Sequence, residues 1–329
     1  AQARAALARL PAAERGTSAL LNQLGTLLQN MGRLEEAKPL YEEAVQARRE
    51  TLGDRHPSTL GSINNMGTLL QAMGKLEEAR PLLEEALQAW RKTLGDRHPS
   101  TLNSISNMAT LLKEMGQLKV ARPLLEEAMQ AQRETLGDRH PTTLRSINNM
   151  GGLLKQMGQL KEAKPLYEEA VQASRETLGD RHPDTLISIG NMGSLLKAMG
   201  KLEEARPLLE EALQGMRETL GDRHPGTLSS INNMGLLLQD MGQLKKARTL
   251  LKEALQARRK TLGNRHPDTL QSINNMDQLL EAMGRREEAR SLYKEAAQAS
   301  KETLGDRHPH TLVYTKNLDS LLQAMGKRA

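Results

Sequence analysis

The heptapeptide Thr-Leu-Gly-Asp-Arg-His-Pro begins at Thr51 and returns at 93, 135, 177, 219 and 303, with Asn264 replacing the aspartate in the copy at 261. Its histidines, from His56 through His98, His140, His182, His224 and His266 to His308, are 42 residues apart each time. Ile-Asn-Asn-Met-Gly or a close variant keeps the same clock, starting at 63, 105, 147, 189, 231 and 273. So does a Met-Gly pair at 31–32, 73–74, 115–116, 157–158, 199–200, 241–242, 283–284 and 325–326. A fixed period of this size means stacked supersecondary units, each able to bury its apolar face only against its neighbours.

One period, 57–95, reads as two helices. Pro57 suits the first helical position, where a missing N–H costs nothing. Leu60, Ile63, Met66, Leu70 and Met73 recur at three- and four-residue steps, one stripe of a helix A. Gly67 lies on that stripe and admits a close neighbour, and Gly74 ends the helix. Leu76, Ala79, Leu83, Ala86, Ala89 and Leu94 then mark a helix B, with Glu77, Glu78, Glu84 and Glu85 on its wet side. Gly95 ends it, and Gly-Asp-Arg-His-Pro turns the chain into the next unit. A proline sits inside helix B at 39, 81, 123, 165 and 207, removing one helix hydrogen bond. Thr249 and Ser291 take its place in the last two units, which predicts straighter helices there.

The fold class expected is all-α, a right-handed α-solenoid of helix-turn-helix repeats. Seven 42-residue units run from 17 to 309 as one solenoid, after an N-terminal helix at 1–16 and before a capping helix at 310–329. Lys316, Asp319, Lys327 and Arg328 make the last helix more polar, as an end needs.

This pattern resembles the tetratricopeptide repeat, with its small residue in helix A, glycine at the turn and two alanines in helix B. The 42-residue length, Leu-x-x-x-x-Asn-Asn-Met-Gly in helix A and Gly-Asp-Arg-His-Pro between units resemble kinesin light chains and nephrocystin-3-like proteins. Met66, Met108, Met150, Met192, Met234 and Met276 stand where leucine is usual, and Leu76 where an aromatic is common. These are packing exchanges. The resemblance implies a protein-interaction module whose A helices line an inner groove.

Composition narrows the chemistry. The chain has no Cys and no Phe, one Trp and four Tyr among 329 residues. Disulfides and thiolate chemistry are excluded, and a reducing, cytoplasmic setting is the expectation. No apolar run approaches ~18 residues, so no membrane span is expected. With 46 basic against 40 acidic side chains the surface is mixed, unlike a nucleic-acid tail.

The seven histidines invite a metal or catalytic reading. Equivalent atoms of packed units lie roughly 8–10 Å apart, whereas imidazoles sharing zinc must each approach within ~2.1 Å. Asp54 and its equivalents add too few ligands within a unit. No Ser or Asp recurs so as to build a nucleophile–base pair with an orienting third group. The histidine is read as a helix cap and the proline as a fixed turn, with no catalytic residue, metal or cofactor. The methionines read as adaptable core fillers. Trp90 shares its place with Arg48, Gln132, Ser174, Met216, Arg258 and Ser300, a mixture that predicts a partly exposed spot on helix B.

The groove side of helix A carries the candidate site. In the fourth unit it holds Arg145, Asn148, Asn149, Gly152 and Lys155. One position reads Asn65, Asn107, Asn149, Asn191, Asn233, Asn275 and Asn317, with Gln23 in the first unit. Asparagine is a modest helix former, and its amide both donates and accepts, as gripping a peptide backbone requires. In kinesin light chains the matching asparagines line a cargo groove, which is what the resemblance implies here. Bonding to the neighbouring helix fits the same row equally well. One turn earlier the residues vary: Ala19, Gly61, Asn103, Arg145, Ile187, Ser229, Gln271 and Val313. A third column places Lys113, Lys155 and Lys197 in succession; with Arg145 they predict an acidic, extended peptide docked across units three to five. The competing expectations are a structural or self-associating array joined through its ends, and a sensor module of a larger regulatory protein. An RNA-reading repeat is disfavoured by the constant asparagines and the absence of aromatic groups from the groove.

Overall fold

The structure is a computed structural model and describes residues 19–30, 33–306 and 308–326. The segment 1–16, Met31, Gly32, Lys327 and Arg328, all given roles above, lie outside the described residues. Among the described residues there are fifteen α-helices and no strand. The A helices are α1 (Ala19–Asn30), α3 (Pro57–Ala72), α5 (Pro99–Glu114), α7 (Pro141–Gln156), α9 (Pro183–Ala198), α11 (Pro225–Asp240), α13 (Pro267–Ala282) and α15 (Pro309–Gly326). The B helices are α2 (Leu34–Leu52), α4 (Leu76–Leu94), α6 (Leu118–Leu136), α8 (Leu160–Leu178), α10 (Leu202–Leu220), α12 (Leu244–Leu262) and α14 (Arg286–Leu304). The chain divides into two compact units, Ala1–Thr135 and Leu136–Ala329. In the first, α1, α3 and α5 touch in succession; in the second, α7, α9, α11 and α13 do.

The joint between repeats explains the repeated heptapeptide. After α8, Gly179 leaves the helix at φ 87°, a region only glycine enters freely, and donates its N–H to the Arg175 carbonyl at 3.1 Å. The Arg175 guanidinium lies 3.5 Å from Asp180 in the joint and 2.7 Å from Glu211 in α10. Arg181 reaches Glu218 at 2.9 Å. His182 Nδ1 accepts the backbone N–H of Asp184 at 3.1 Å, satisfying an orphan donor of α9, and Pro183 is the first helical residue. The same cap recurs at His56, His98, His140, His224, His266 and His308.

Each core is a strip of Leu, Ile, Met and Ala. In the fifth repeat Leu186 and Ile189 of α9 close on Ala212 and Met216 of α10, all at most 1% exposed. The conserved-size slot of helix A is where the two helices meet. A methyl added to Gly193 would sit 2.8 Å from Leu209 Cγ, and one added to Gly151 2.8 Å from the Tyr167 ring. Asp277 occupies this slot in α13 and is fully buried. Neither of its oxygens has a hydrogen-bond partner among the described residues. Burial pushes its carboxyl up to about 9, with Glu295 adding to the rise and Arg259 opposing it.

The position shared by Trp90 corrects the sequence reading. It is buried throughout: Trp90 is 6% exposed, Arg48 6%, Arg258 5%, Gln132 and Ser174 1%. It faces the first turn of the following A helix, so a long polar side chain is satisfied there. Arg258 donates to the Asp268 carbonyl at 3.0 Å, Ser272 Oγ at 2.8 Å and Ser229 Oγ at 3.1 Å. Arg48 does the same with Ser58 and Ser62.

Candidate functional site

The A helices place the asparagine row because its residues recur at one helical angle, beside the core stripe. Most of the row is tied down between repeats. Asn107 donates to Asn64 Oδ1 at 3.2 Å, Asn191 to Asn148 Oδ1 at 3.2 Å, Asn275 to Asn232 Oδ1 at 2.8 Å and Asn317 to Asn274 Oδ1 at 3.0 Å. Two first asparagines of doublets also bond to the serine of the next repeat, Asn148 donating to Ser188 at 2.8 Å and Asn64 Oδ1 accepting from Ser104 at 3.3 Å, and Asn22, ahead of Gln23, donates to Ser62 at 2.9 Å. The row therefore works as an inter-repeat ladder, the spacing role that its sequence left open. The doublet residues Asn64, Asn148, Asn232 and Asn274 are the partners that sequence reasoning missed. Their signal was the first asparagine of each doublet, 43 residues before its partner.

Three rungs are open. The amides of Asn65, Asn149 and Asn233 have no hydrogen-bond partner among the described residues, and all three are half-buried. For Asn233 the cause is local: Gly190 stands where the partner asparagine belongs. A methyl there would meet only Ala212, at 3.7 Å.

Beside these rungs the second unit presents Arg145 and Ile187, both exposed, the latter at 45%. Lys155 and Lys197 lean towards the next repeat. Lys155 donates to Ser194 Oγ at 2.7 Å. Lys197 pairs with Asp240 at 2.9 Å, so part of the positive charge read from the sequence is neutralised. In the first unit Lys113 is half-buried; burial lowers its ammonium below the ordinary range and Glu114 opposes that shift. The face offers free amides, one guanidinium, two anchored ammonium groups and an apolar side chain. These are groups that hold and orient. Among the described residues no set of three or more His, Cys, Asp or Glu side chains could hold a metal ion, and no helix is long and apolar enough to cross a membrane.

A family profile described as tetratricopeptide repeat matches residues 60–134, 102–175, 142–218, 184–260 and 226–301, and a second of the same description matches 17–58. Among solved structures the chain is similar to a Podosopora anserina protein provisionally assigned as a kinesin light chain with nearly identical TPR-like repeats. The identity is 33% and the TM-score 0.50, over 63% of this chain and 97% of that one. BtubC from P. vanneervenii is 21% identical with a TM-score of 0.54, over 70% and 92%. The Rap conjugation gene regulator of plasmid pLS20, solved with the Phr* peptide, is 16% identical with a TM-score of 0.68, over 85% and 72%. The last two share the fold. No curated protein matches the chain by sequence.

Proposed function

The chain belongs to the tetratricopeptide repeat family, and from that premise we propose that it is a non-catalytic scaffold gripping an extended, acidic peptide on the A-helix face of its second unit. The observation that carries this reading is the pair of open rungs, Asn149 and Asn233, in a unit whose other rungs, Asn191, Asn275 and Asn317, are closed by inter-repeat hydrogen bonds. A half-buried amide with no partner stands ready to bond a peptide backbone, at a typical net value of about 1 kcal/mol each. Arg145 supplies a planar fork for a carboxylate, and Ile187 an apolar contact between the rungs. That the pLS20 regulator, alike in fold, was solved with a peptide supports the class of ligand.

The test is panning of a random peptide library against the parent chain, Asn149→Ala/Asn233→Ala, and Asn191→Ala, with helicity checked by circular dichroism. Extended acidic peptides should enrich less on the double variant than on the parent, and the double exchange removes no side-chain hydrogen bond among the described residues. Asn191→Ala breaks a rung and should unfold at lower denaturant, by about 1 kcal/mol. Equal enrichment on the parent and the double variant would sink the reading.

A further inference from the structure

Four of the seven B helices open on a pair of glutamates: Glu35-Glu36 in α2, Glu77-Glu78 in α4, Glu203-Glu204 in α10 and Glu287-Glu288 in α14, whereas α6 opens on Lys119-Val120 and α8 on Lys161-Glu162. In α12 the same two places hold Lys245 and Lys246. A second exchange follows one turn on. Lys38, Arg80, Arg122, Lys164 and Arg206 each pair with a glutamate four residues later, at 2.8–3.6 Å. In α12 that glutamate is Lys252, so Arg248 has lost its partner. The side chains of Lys245, Lys246, Arg248 and Lys252 make no ion pair or hydrogen bond among the described residues. Folding does not favour this arrangement. Cations in a first turn oppose the helix dipole, and Arg248 above Lys252 is a like-charge pair.

The cations stand around a hollow. A cleft of about 660 Å³ is lined by Lys245, Arg248 and Lys252 of α12 together with Met283 at the end of α13. A second, of about 720 Å³, shares Lys245 and Met283 and adds Lys246 and Leu244. The neighbouring carboxylate, Glu253, is already held by Arg217 at 2.7 Å.

We propose that the first turns of α12 and the end of α13 form a second docking surface, on the B-helix layer, that takes an acidic segment of a partner protein. Two or more of its carboxylates meet Lys245, Arg248 and Lys252, and a leucine-sized side chain beside them enters against Met283 and Leu244. Charge complementarity selects the occupant, because the two clefts together offer four cations whose side chains are unpaired among the described residues, beside Met283 and Leu244. The surface shares no residue with the asparagine ladder.

The probe is a labelled peptide, Glu-Glu-Glu-Leu-Glu-Glu, titrated with the full chain and read by fluorescence anisotropy. The key variant, Lys245→Glu/Lys246→Glu/Lys252→Glu, writes the acidic residues of the fifth repeat into the sixth, a sequence this chain already folds. Lys252→Gln alone gives a milder control. The parent should bind with an affinity that falls as salt rises, the triple variant at least ~10-fold more weakly, and Lys252→Gln ~3-fold more weakly. In an Asn149→Ala/Asn233→Ala background the triple exchange should still weaken binding at least ~10-fold, which separates this surface from the A-helix face. Equal binding by the triple variant, or by a peptide with glutamine in place of glutamate, overturns the proposal. Tighter Lys-dependent binding of single-stranded RNA or anionic vesicles, or self-association of the parent that the triple variant abolishes in sedimentation, overturns the choice of occupant.

Discussion

At the scale of single residues, Asp277 is the chain's sharpest departure from its own pattern. The six other repeats place Gly25, Gly67, Ala109, Gly151, Gly193 and Gly235 in that slot. A carboxyl raised to about 9 keeps its proton in the fold and releases it near 3.9 in the unfolded chain. Stability is therefore highest below the unfolded value and falls as pH rises through the window from about 4 to about 9, by about 1.4 kcal/mol per pH unit. Asp277→Gly should stabilise the fold by about 2–4 kcal/mol near pH 7, with a gain that grows with pH. Urea unfolding of both chains at pH 5, 7 and 8.5 measures it; a gain independent of pH would mean that the carboxyl does not hold its proton. The slot was legible in the sequence as a small-residue position. That its aspartate would go without any partner was not, because partners are set by packing in three dimensions.

At the scale of elements, helix A and helix B meet through that slot, and the partner side chain decides what it tolerates. Ala109 holds the slot in the third repeat, where the residue equivalent to Leu209 is Leu125, and both are buried, so a leucine there is compatible with a methyl. Tyr167 is a flat ring, fully buried, whose atoms lie 2.8 Å from a methyl on Gly151. Gly193→Ala, facing Leu209, should be close to neutral, the helix gaining ~1 kcal/mol while the leucine shifts. Gly151→Ala should cost about 1–3 kcal/mol by overpacking. Thermal melts of the two variants give the order; the reverse order would mean that the ring yields more easily than the leucine. Helix starts, stops and caps were readable from Pro, Gly and His because they are local chemistry. The buried place of Trp90 and Arg48 was not. Its occupants look polar in sequence, and only the adjoining A helix reveals the carbonyls and serine hydroxyls that receive them.

At the scale of the whole molecule, the period alone dictated a stack of near-identical pairs, and the helices follow it. What it left undecided was which asparagines hold the stack and which stand open. That depends on a neighbour a full repeat away, as Gly190 decides for Asn233. Within the second unit the stack is not uniform. α13 carries the unpartnered Asp277, and α15 exposes Leu312 at 57% and Leu322 at 37%, where the equivalent Leu270 and Leu280 are buried. In an array stabilised by nearest neighbours, weak interfaces open first. Amide hydrogen exchange should run fastest in α13–α15 and slowest in α9–α12, and Asp277→Gly should slow it in α13 and α14. Uniform protection across the unit would contradict this. The joint has a consequence of another kind. The boundaries share one adaptor, in which a glycine leaves, a basic side chain and an aspartate usually latch, and a histidine and a proline start again; Asn264 replaces the aspartate at one boundary and Lys301 the arginine at another. Recombination that slips by any whole number of repeats thus rejoins one good boundary to another. The gene can lengthen or shorten in single steps without passing through an unfoldable chain, and length is the trait on which selection can act most freely.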